Sequence, residues 1–171
     1  TIGGDDQITV VPHLDPDLVR ADPKPFLGYS DNTNLLCWLW SQGVAAFHGG
    51  STQVYLGPGP EVDPAHLTTL RAAFFGGEAV LTEPAAFTED EIGWGLARAL
   101  TDRPRTRPAP PWTWRHADQV VTGPTWGGNL EILSWTLTVG RWVRPVEAYQ
   151  GCVLLLETSE ERPPAVEVFR F

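Results

Sequence analysis

Two residues of this chain stand where covalent chemistry is often done. Ser30 lies between a short apolar stretch, Phe26-Leu27-Gly28-Tyr29, and a longer one, Thr33 to Gln42, that carries Leu35, Leu36, Trp38, Leu39 and Trp40. The first reads as a short buried strand and the second as a buried helix stopped by Gly43. A serine at such a strand-to-helix turn is exposed at the C-terminal edge of a sheet, with helix N–H groups facing the reacting centre. The N–H of Asp31 is then placed to help stabilise an oxyanion. The same spacing is also plain helix-capping chemistry, because Ser-Asp-Asn is a favoured cap and the second glycine of a G-x-S-x-G elbow is missing. Glu157 ends the apolar run Val153-Leu154-Leu155-Leu156. A carboxylate there is better placed for a site than one on a helix face, or it simply closes a strand. Glu160 and Glu161 read as a solvated turn.

The other candidates carry weaker signals. The histidines are His13, His48, His66 and His116, and no HxxxH, HxH or CxxC spacing occurs, so no metal site is expected. His48, beside Gly49-Gly50 at a strand end, has a site-like context but reads equally as a structural histidine. Cys37 and Cys152 each lie inside apolar stretches and read as buried free thiols. Trp112, Trp114 and Trp126 offer either a stacking platform for sugars or bases or, the preferred reading, core and interface packing.

The elements that must hold these residues can be read from punctuation. Strand, helix and a second strand over Val44 to Phe47 follow one another at βαβ spacing, which predicts a parallel sheet. Gly3-Gly4-Asp5-Asp6 is a turn, and Asp15-Pro16-Asp17 starts a short helix that Pro23-Lys24-Pro25 breaks. Gly57-Pro58-Gly59-Pro60 is a rigid loop. Asp63-Pro64 caps a helix over 65–75 that ends at Gly76-Gly77. Thr88 with Glu91 in the capping-box position predicts a helix over 88–100. Residues 102–111 have a linker composition whose three arginines are expected to be solvated. Beyond them, strands are expected over 120–122 and 153–156, and a helix over 129–137 after Trp126-Gly127-Gly128.

Composition narrows the class. The chain has 171 residues with 42% apolar and 19% charged side chains, which fits globular structure rather than disorder. A formal charge of −9 disfavours binding to nucleic acid. No run approaches the roughly 18 apolar residues of a membrane span. The sequence contains no Met, opens on Thr1-Ile2-Gly3-Gly4 and closes on Val166 to Phe171, and reads as an internal segment of a longer protein.

Five segments, in order, resemble the LD-carboxypeptidase (muramoyltetrapeptide carboxypeptidase) family, in particular its microcin C self-immunity subgroup. They are Gly3-Gly4-Asp5-Asp6-Gln7, Lys24 to Leu35 around Ser30, Phe47-His48-Gly49-Gly50-Ser51, Trp126-Gly127-Gly128-Asn129-Leu130-Glu131, and Leu155 to Glu161. The resemblance implies an α/β fold: the latter part of a Rossmann-like parallel-sheet N-terminal domain over 1–85, a helix and Pro-rich linker over 86–115, and the first part of a smaller mixed-sheet C-terminal domain over 116–171. It implies a Ser–His–Glu serine peptidase with Ser30 as nucleophile, Glu157 as the residue orienting the imidazole, and Gly4 and Asp31 as oxyanion-hole donors. That role would explain a glycine at position 4. No metal or organic cofactor is implied. The substrate would be a small peptide or an aminoacyl-nucleotide, either the LD-peptide bond of murein tetrapeptide or the amide of a microcin C-like toxin, the second preferred. A cytoplasmic homodimer of the full-length protein, with no nucleic-acid or membrane partner, is the matching expectation. The family's catalytic histidine lies downstream of the glutamate, none of the four histidines here matches it, and this segment alone is expected to be inactive. The rival expectation is a non-catalytic binding protein in which Ser30 is a buried cap and Glu157 points elsewhere.

Overall fold

The computed structural model describes residues 2–57, 59–90, 92–93 and 95–171. Two compact units emerge, one made of Thr1–Gly50 with Val121–Phe171 and the other of Ser51–Val120.

The first unit begins with helix α1 (Gln7–Val10), which runs into a 3-10 turn at Val11–His13. Helix α2 (Pro16–Ala21) starts where the sequence demands, with the Asp15 carboxylate accepting from the N–H groups of Asp17 at 2.8 Å and Leu18 at 3.4 Å. Strand β1 (Leu27–Gly28), a 3-10 turn (Ser30–Asn32), helix α3 (Thr33–Ser41) and strand β2 (Phe47–His48) then form the expected βαβ unit. The strands pair in parallel, Leu27 with Phe47 and Gly28 with His48. Gly43 leaves α3 at φ +76°, a conformation that favours glycine. Trp38 and Leu39 of α3 join Val11 and Val44 in a buried core. Full burial of aliphatic side chains such as these contributes about 1.5–3 kcal/mol each.

In the second unit a π-helical turn (Thr52–Leu56) starts at Ser51, whose Oγ accepts the Val54 N–H at 3.2 Å. Helix α4 (Pro64–Phe75) is capped by Asp63, which accepts the Ala65 N–H at 2.8 Å, and it ends at Gly76 with φ +79°. Strand β3 (Ala86–Phe87) pairs antiparallel with β4 (Arg107–Pro108). The helix expected over 88–100 is reduced to a 3-10 turn at Ala97–Leu100. The Thr88 Oγ1 accepts the Asp90 N–H at 3.0 Å and also donates to the Arg105 carbonyl at 2.8 Å, across from the hairpin. Gly93 and Gly95 each weaken a helix there by about 1 kcal/mol. Glu91, the expected capping-box partner, and Pro58 of the Gly-Pro loop lie outside the described residues. The arginines of the proline-rich stretch form separate ion pairs, Arg103 with Glu61, Arg105 with Asp90 and Arg107 with Glu89, rather than an anion patch.

Back in the first unit, the strand expected over 120–122 does not form, and Val120 is 98% exposed. The strand lies further on, as β5 (Thr125–Asn129), parallel to β6 (Val153–Glu157) with Asn129 opposite Glu157. Its Gly127-Gly128 pair reads as a turn in the sequence, yet both residues sit in the ladder at φ +145°. A side chain at Gly127 would run into the Leu155 carbonyl, and a Cβ at Gly128 would lie 2.6 Å from Cγ2 of Thr33. Close backbone approach, not a turn, is what the glycines permit. Asn129 caps helix α5 (Leu130–Thr138) by accepting the Ile132 N–H at 3.0 Å, and Leu130, Ile132 and Leu133 are buried. A 3-10 turn (Val146–Tyr149) precedes β6, and helix α6 (Ala165–Arg170) follows it. The class is mixed α/β with two parallel strand pairs. Among the described residues no helix is long and apolar enough to cross a membrane.

Candidate active site

Ser30 is not a helix cap. Its backbone has φ +59°, one of few non-glycine residues in the left-handed region. For a non-glycine residue this costs on the order of 1 kcal/mol and persists only where the surroundings enforce it. Tyr29 before it is fully extended, at φ −149° and ψ −178°, so the chain turns sharply between β1 and α3. The hydroxyl makes no hydrogen bond among the described residues. The turn is satisfied by others: Asn32 donates from Nδ2 to the Tyr29 carbonyl at 3.1 Å, and buried Asp31 accepts from Asn34 Nδ2 at 2.9 Å. Ser30 is thus half-buried, strained and without a capping duty.

Glu157 meets this turn. It is the last residue of β6, and its Oε1 accepts the Ser30 N–H at 3.3 Å. The same oxygen lies 3.3 Å from Nε2 of His48, the last residue of β2. Serine, carboxylate and imidazole therefore converge at the C-terminal ends of parallel strands, where α/β sheets place their ligands. Burial pushes the Glu157 carboxyl up, but the hydrogen bond and charge of His48, with the Ser30 N–H, outweigh it and hold the group below the usual glutamate range.

The upstream glycine turn is tied to the same place. Gln7 donates its N–H to Asp31 Oδ2 at 2.9 Å and its Nε2 to Asn32 Oδ1 at 3.0 Å. Of the two glycines, Gly3 is the one sterically required. A Cβ on it would lie 2.8 Å from Cβ and 2.9 Å from Oγ of Ser30, whereas a Cβ on Gly4 would meet nothing within 4 Å. Steric room is therefore not what requires a glycine at position 4. The N–H groups of Gly4 and Asp31 donate to no group among the described residues.

Two links, one buried and one part-buried, brace the site from the other side. The Asn129 N–H donates to Thr33 Oγ1 at 2.9 Å, and Ser159 donates from both N and Oγ to Oε1 of Glu131, at 3.1 and 2.9 Å. Asn129, Glu131 and Ser159 all fall in the segments that carry the family resemblance, but their pairings are invisible in sequence. A small cavity of about 60 Å³ lies beside His48, walled by Cys37, Trp40, Trp126 and Leu155 among others. Trp40 stacks on Tyr149 at 4.9 Å, Trp126 meets Tyr149 edge-on at 5.0 Å, and Arg144 lies over Trp40.

The remaining candidates are not drawn in. Burial pushes the Cys37 thiol up to about 12, which leaves it protonated at neutral pH. Cys152 is free but half-buried, not buried as expected. His66 stacks on Tyr55 at 4.1 Å within the second unit. Trp112 and Trp114 meet at 67°, which gives no flat stacking platform. Among the described residues no group of three or more His, Cys, Asp or Glu side chains could hold a metal ion.

Comparison with known proteins points the same way. Residues 1–49 match the model of the LD-carboxypeptidase N-terminal domain. The microcin C7 self-immunity protein MccF of Escherichia coli is 28% identical over 171 residues, which is 98% of this chain and 48% of that protein. A Vibrio cholerae protein named as a carboxypeptidase is 27% identical over 163 residues, 93% of this chain and 46% of its own length. The structure of MccF in complex with aspartyl sulfamoyl adenosine superposes with a TM-score of 0.73 at 26% identity, covering 99% of this chain and 50% of that one. The chain spans about half the length of the curated relatives it matches.

Proposed function

From its homology to the LD-carboxypeptidase family, whose N-terminal domain is matched over residues 1–49, we propose that this chain supplies the nucleophile and the carboxylate of a serine carboxypeptidase or amidase. The observation that carries the reading is Ser30 at φ +59°, free of any cap, with Glu157 on its own N–H at 3.3 Å. Ser30 Oγ attacks the amide carbonyl while an imidazole takes its proton and later returns it to the leaving amine. Glu157, held ionised, orients that imidazole and stabilises its cationic form. The Gly4 and Asp31 N–H groups, unengaged among the described residues, receive the oxyanion. The imidazole itself is not assigned to His13, His48, His66 or His116. The segment alone is accordingly inactive, and the full protein, as a cytoplasmic homodimer, carries the activity.

The substrate is a small molecule that joins an aminoacyl group to a nucleotide by an amide. MccF, similar over nearly the whole chain, is solved with aspartyl sulfamoyl adenosine. The alternative substrate within the same chemistry is a murein LD-tetrapeptide.

The test is hydrolysis of both amides by the full protein that carries this segment, followed by mass spectrometry. Ser30→Ala is expected to lower kcat by about 10³-fold or more, with the aminoacyl-nucleotide turned over faster than the tetrapeptide. Turnover that survives Ser30→Ala at the wild-type rate sinks the nucleophile assignment. Preference for the tetrapeptide sinks only the substrate choice.

A further inference from the structure

Glu157 is held from one side only. Oε1 receives the Ser30 N–H at 3.3 Å and lies 3.3 Å from Nε2 of His48, while Oε2 accepts nothing among the described residues. His48 is well anchored for this task. It ends β2, opposite Gly28, and the following Gly49 N–H donates to the Gly28 carbonyl at 2.9 Å. Its side chain is 30% exposed, and one side of the ring borders the cavity walled by Trp40 and Trp126.

We propose that His48 is a positioning residue whose imidazole grips Oε1 of Glu157 and so presents Oε2 to the imidazole that relays the Ser30 proton. The inference rests on the nucleophile reading above. A carboxylate at a strand end can rotate about its terminal torsion, which is broad and roughly two-fold. Two donors on one oxygen remove that freedom. The Ser30 N–H alone would leave the carboxylate plane free to rock about that one contact; a second contact from His48, on a different strand, narrows that motion. His48 thus acts through Glu157 and need not touch substrate.

The experiment uses the full protein with the glutamate carboxyls labelled with carbon-13, and follows the Glu157 resonance against pH in wild type, His48→Ala, His48→Phe and His48→Gln. Loss of the donor in the alanine variant is expected to raise the Glu157 midpoint toward the ordinary glutamate value of about 4.3. It should lower kcat about ten-fold or more with KM nearly unchanged, as loss of an orienting partner does at other sites. His48→Gln keeps an N–H donor and is expected to restore most of kcat while recovering only part of the midpoint shift. The phenylalanine variant fills the same space without a donor and carries the test if alanine disturbs β2. A Glu157 midpoint unmoved in both donor-free variants overturns the inference, whatever the activity. Hydrolysis that survives Ser30→Ala, with Glu157 still responding to His48, instead overturns the nucleophile reading and the relay with it.

Discussion

The two compact units are held together by different means. Around Ser30 the buried residues include a run of polar ones, Asp31, Asn32, Thr33 and Asn34, joined by Asn129 and Thr136. Their bonds span the chain, as in Thr33 with Asn129 and Gln7 with Asp31. Among the described residues of Ser51–Val120 the buried apolar ones are Leu70 and Ala99, while Phe75 is 87% and Val80 81% exposed. There the links are local caps, a short hairpin, a few exposed cross-chain bonds such as Thr88 with Arg105, and exposed ion pairs worth about 0–1 kcal/mol each. A buried, satisfied hydrogen-bond network fixes geometry because each broken bond leaves an orphaned group behind. Chemistry that needs Ser30 held at an unfavourable φ belongs with the first kind of region.

Glycine-to-alanine changes should expose the contrast most strongly. Gly127 and Gly77 both have positive φ, at +145° and +121°. Only the first has a neighbour in the way, the Leu155 carbonyl, whereas a Cβ at Gly77 meets nothing within 4 Å. Gly127→Ala is therefore expected to cost more than about 4 kcal/mol and to part β5 from β6. Gly77→Ala should cost only backbone strain, roughly 1–2 kcal/mol. Urea unfolding followed by near-UV circular dichroism measures both. Equal losses would erase the distinction between the regions.

A single buried bond comes next. Thr33→Val keeps the shape that packs on Gly128 but removes the acceptor of the Asn129 N–H. Leaving that buried N–H unpaired should cost about 2 kcal/mol. Asp63→Ala removes an exposed cap from α4 and should cost about 1 kcal/mol, confined to the second unit. Hydrogen exchange resolves the two: the first change should speed exchange in α5 and β5, the second only in α4. If Thr33→Val left α5 protection untouched, the network would not be what braces the site.

How much of this was legible in the sequence follows from range. The βαβ unit and α4 were legible because their signals are local: an apolar run, a cap such as Asp63, a stop such as Gly43. Ser30 was recognisable as a strand-to-helix residue, but its left-handed φ and idle hydroxyl were not, since Ser-Asp-Asn spells a cap. The β5 strand was misplaced because Gly127-Gly128 looks like a turn; only the approach of Leu155 and Thr33 explains glycine in a ladder. The pairing of His48 with Glu157 joins the ends of two strands far apart in sequence. No local pattern can encode it, and family resemblance pointed to Glu157 without naming this partner. Among the described residues of 88–100 the helical part is the 3-10 turn Ala97–Leu100: the Thr88 cap bond to Asp90 is made, but Gly93 and Gly95 stand between the two.

The smallest expected effect is one of pH, and its salt dependence separates the regions again. Glu157 and Asp90 are both held below their ordinary values. For Glu157 burial opposes the donors from His48 and Ser30 and is outweighed; for Asp90 the backbone and side chain of Arg105 do most of the lowering. A carboxyl depressed in the folded state adds stability that is fully present above its unfolded value, about 3.9 for Asp and 4.3 for Glu, and is lost as pH falls through the folded value. The stability difference between wild type and Glu157→Gln should therefore shrink between pH 6 and pH 3, roughly the window that spans that loss. Added salt should spare much of the Glu157 effect, because that pair is partly buried, and should screen most of the corresponding Asp90→Asn effect, whose partner Arg105 is 91% exposed. Urea midpoints at both pH values, at low and high salt, give the comparison. If the Glu157 difference widened on acidification, the carboxylate would not be the stabilised form, and its part in orienting an imidazole would lose its physical basis.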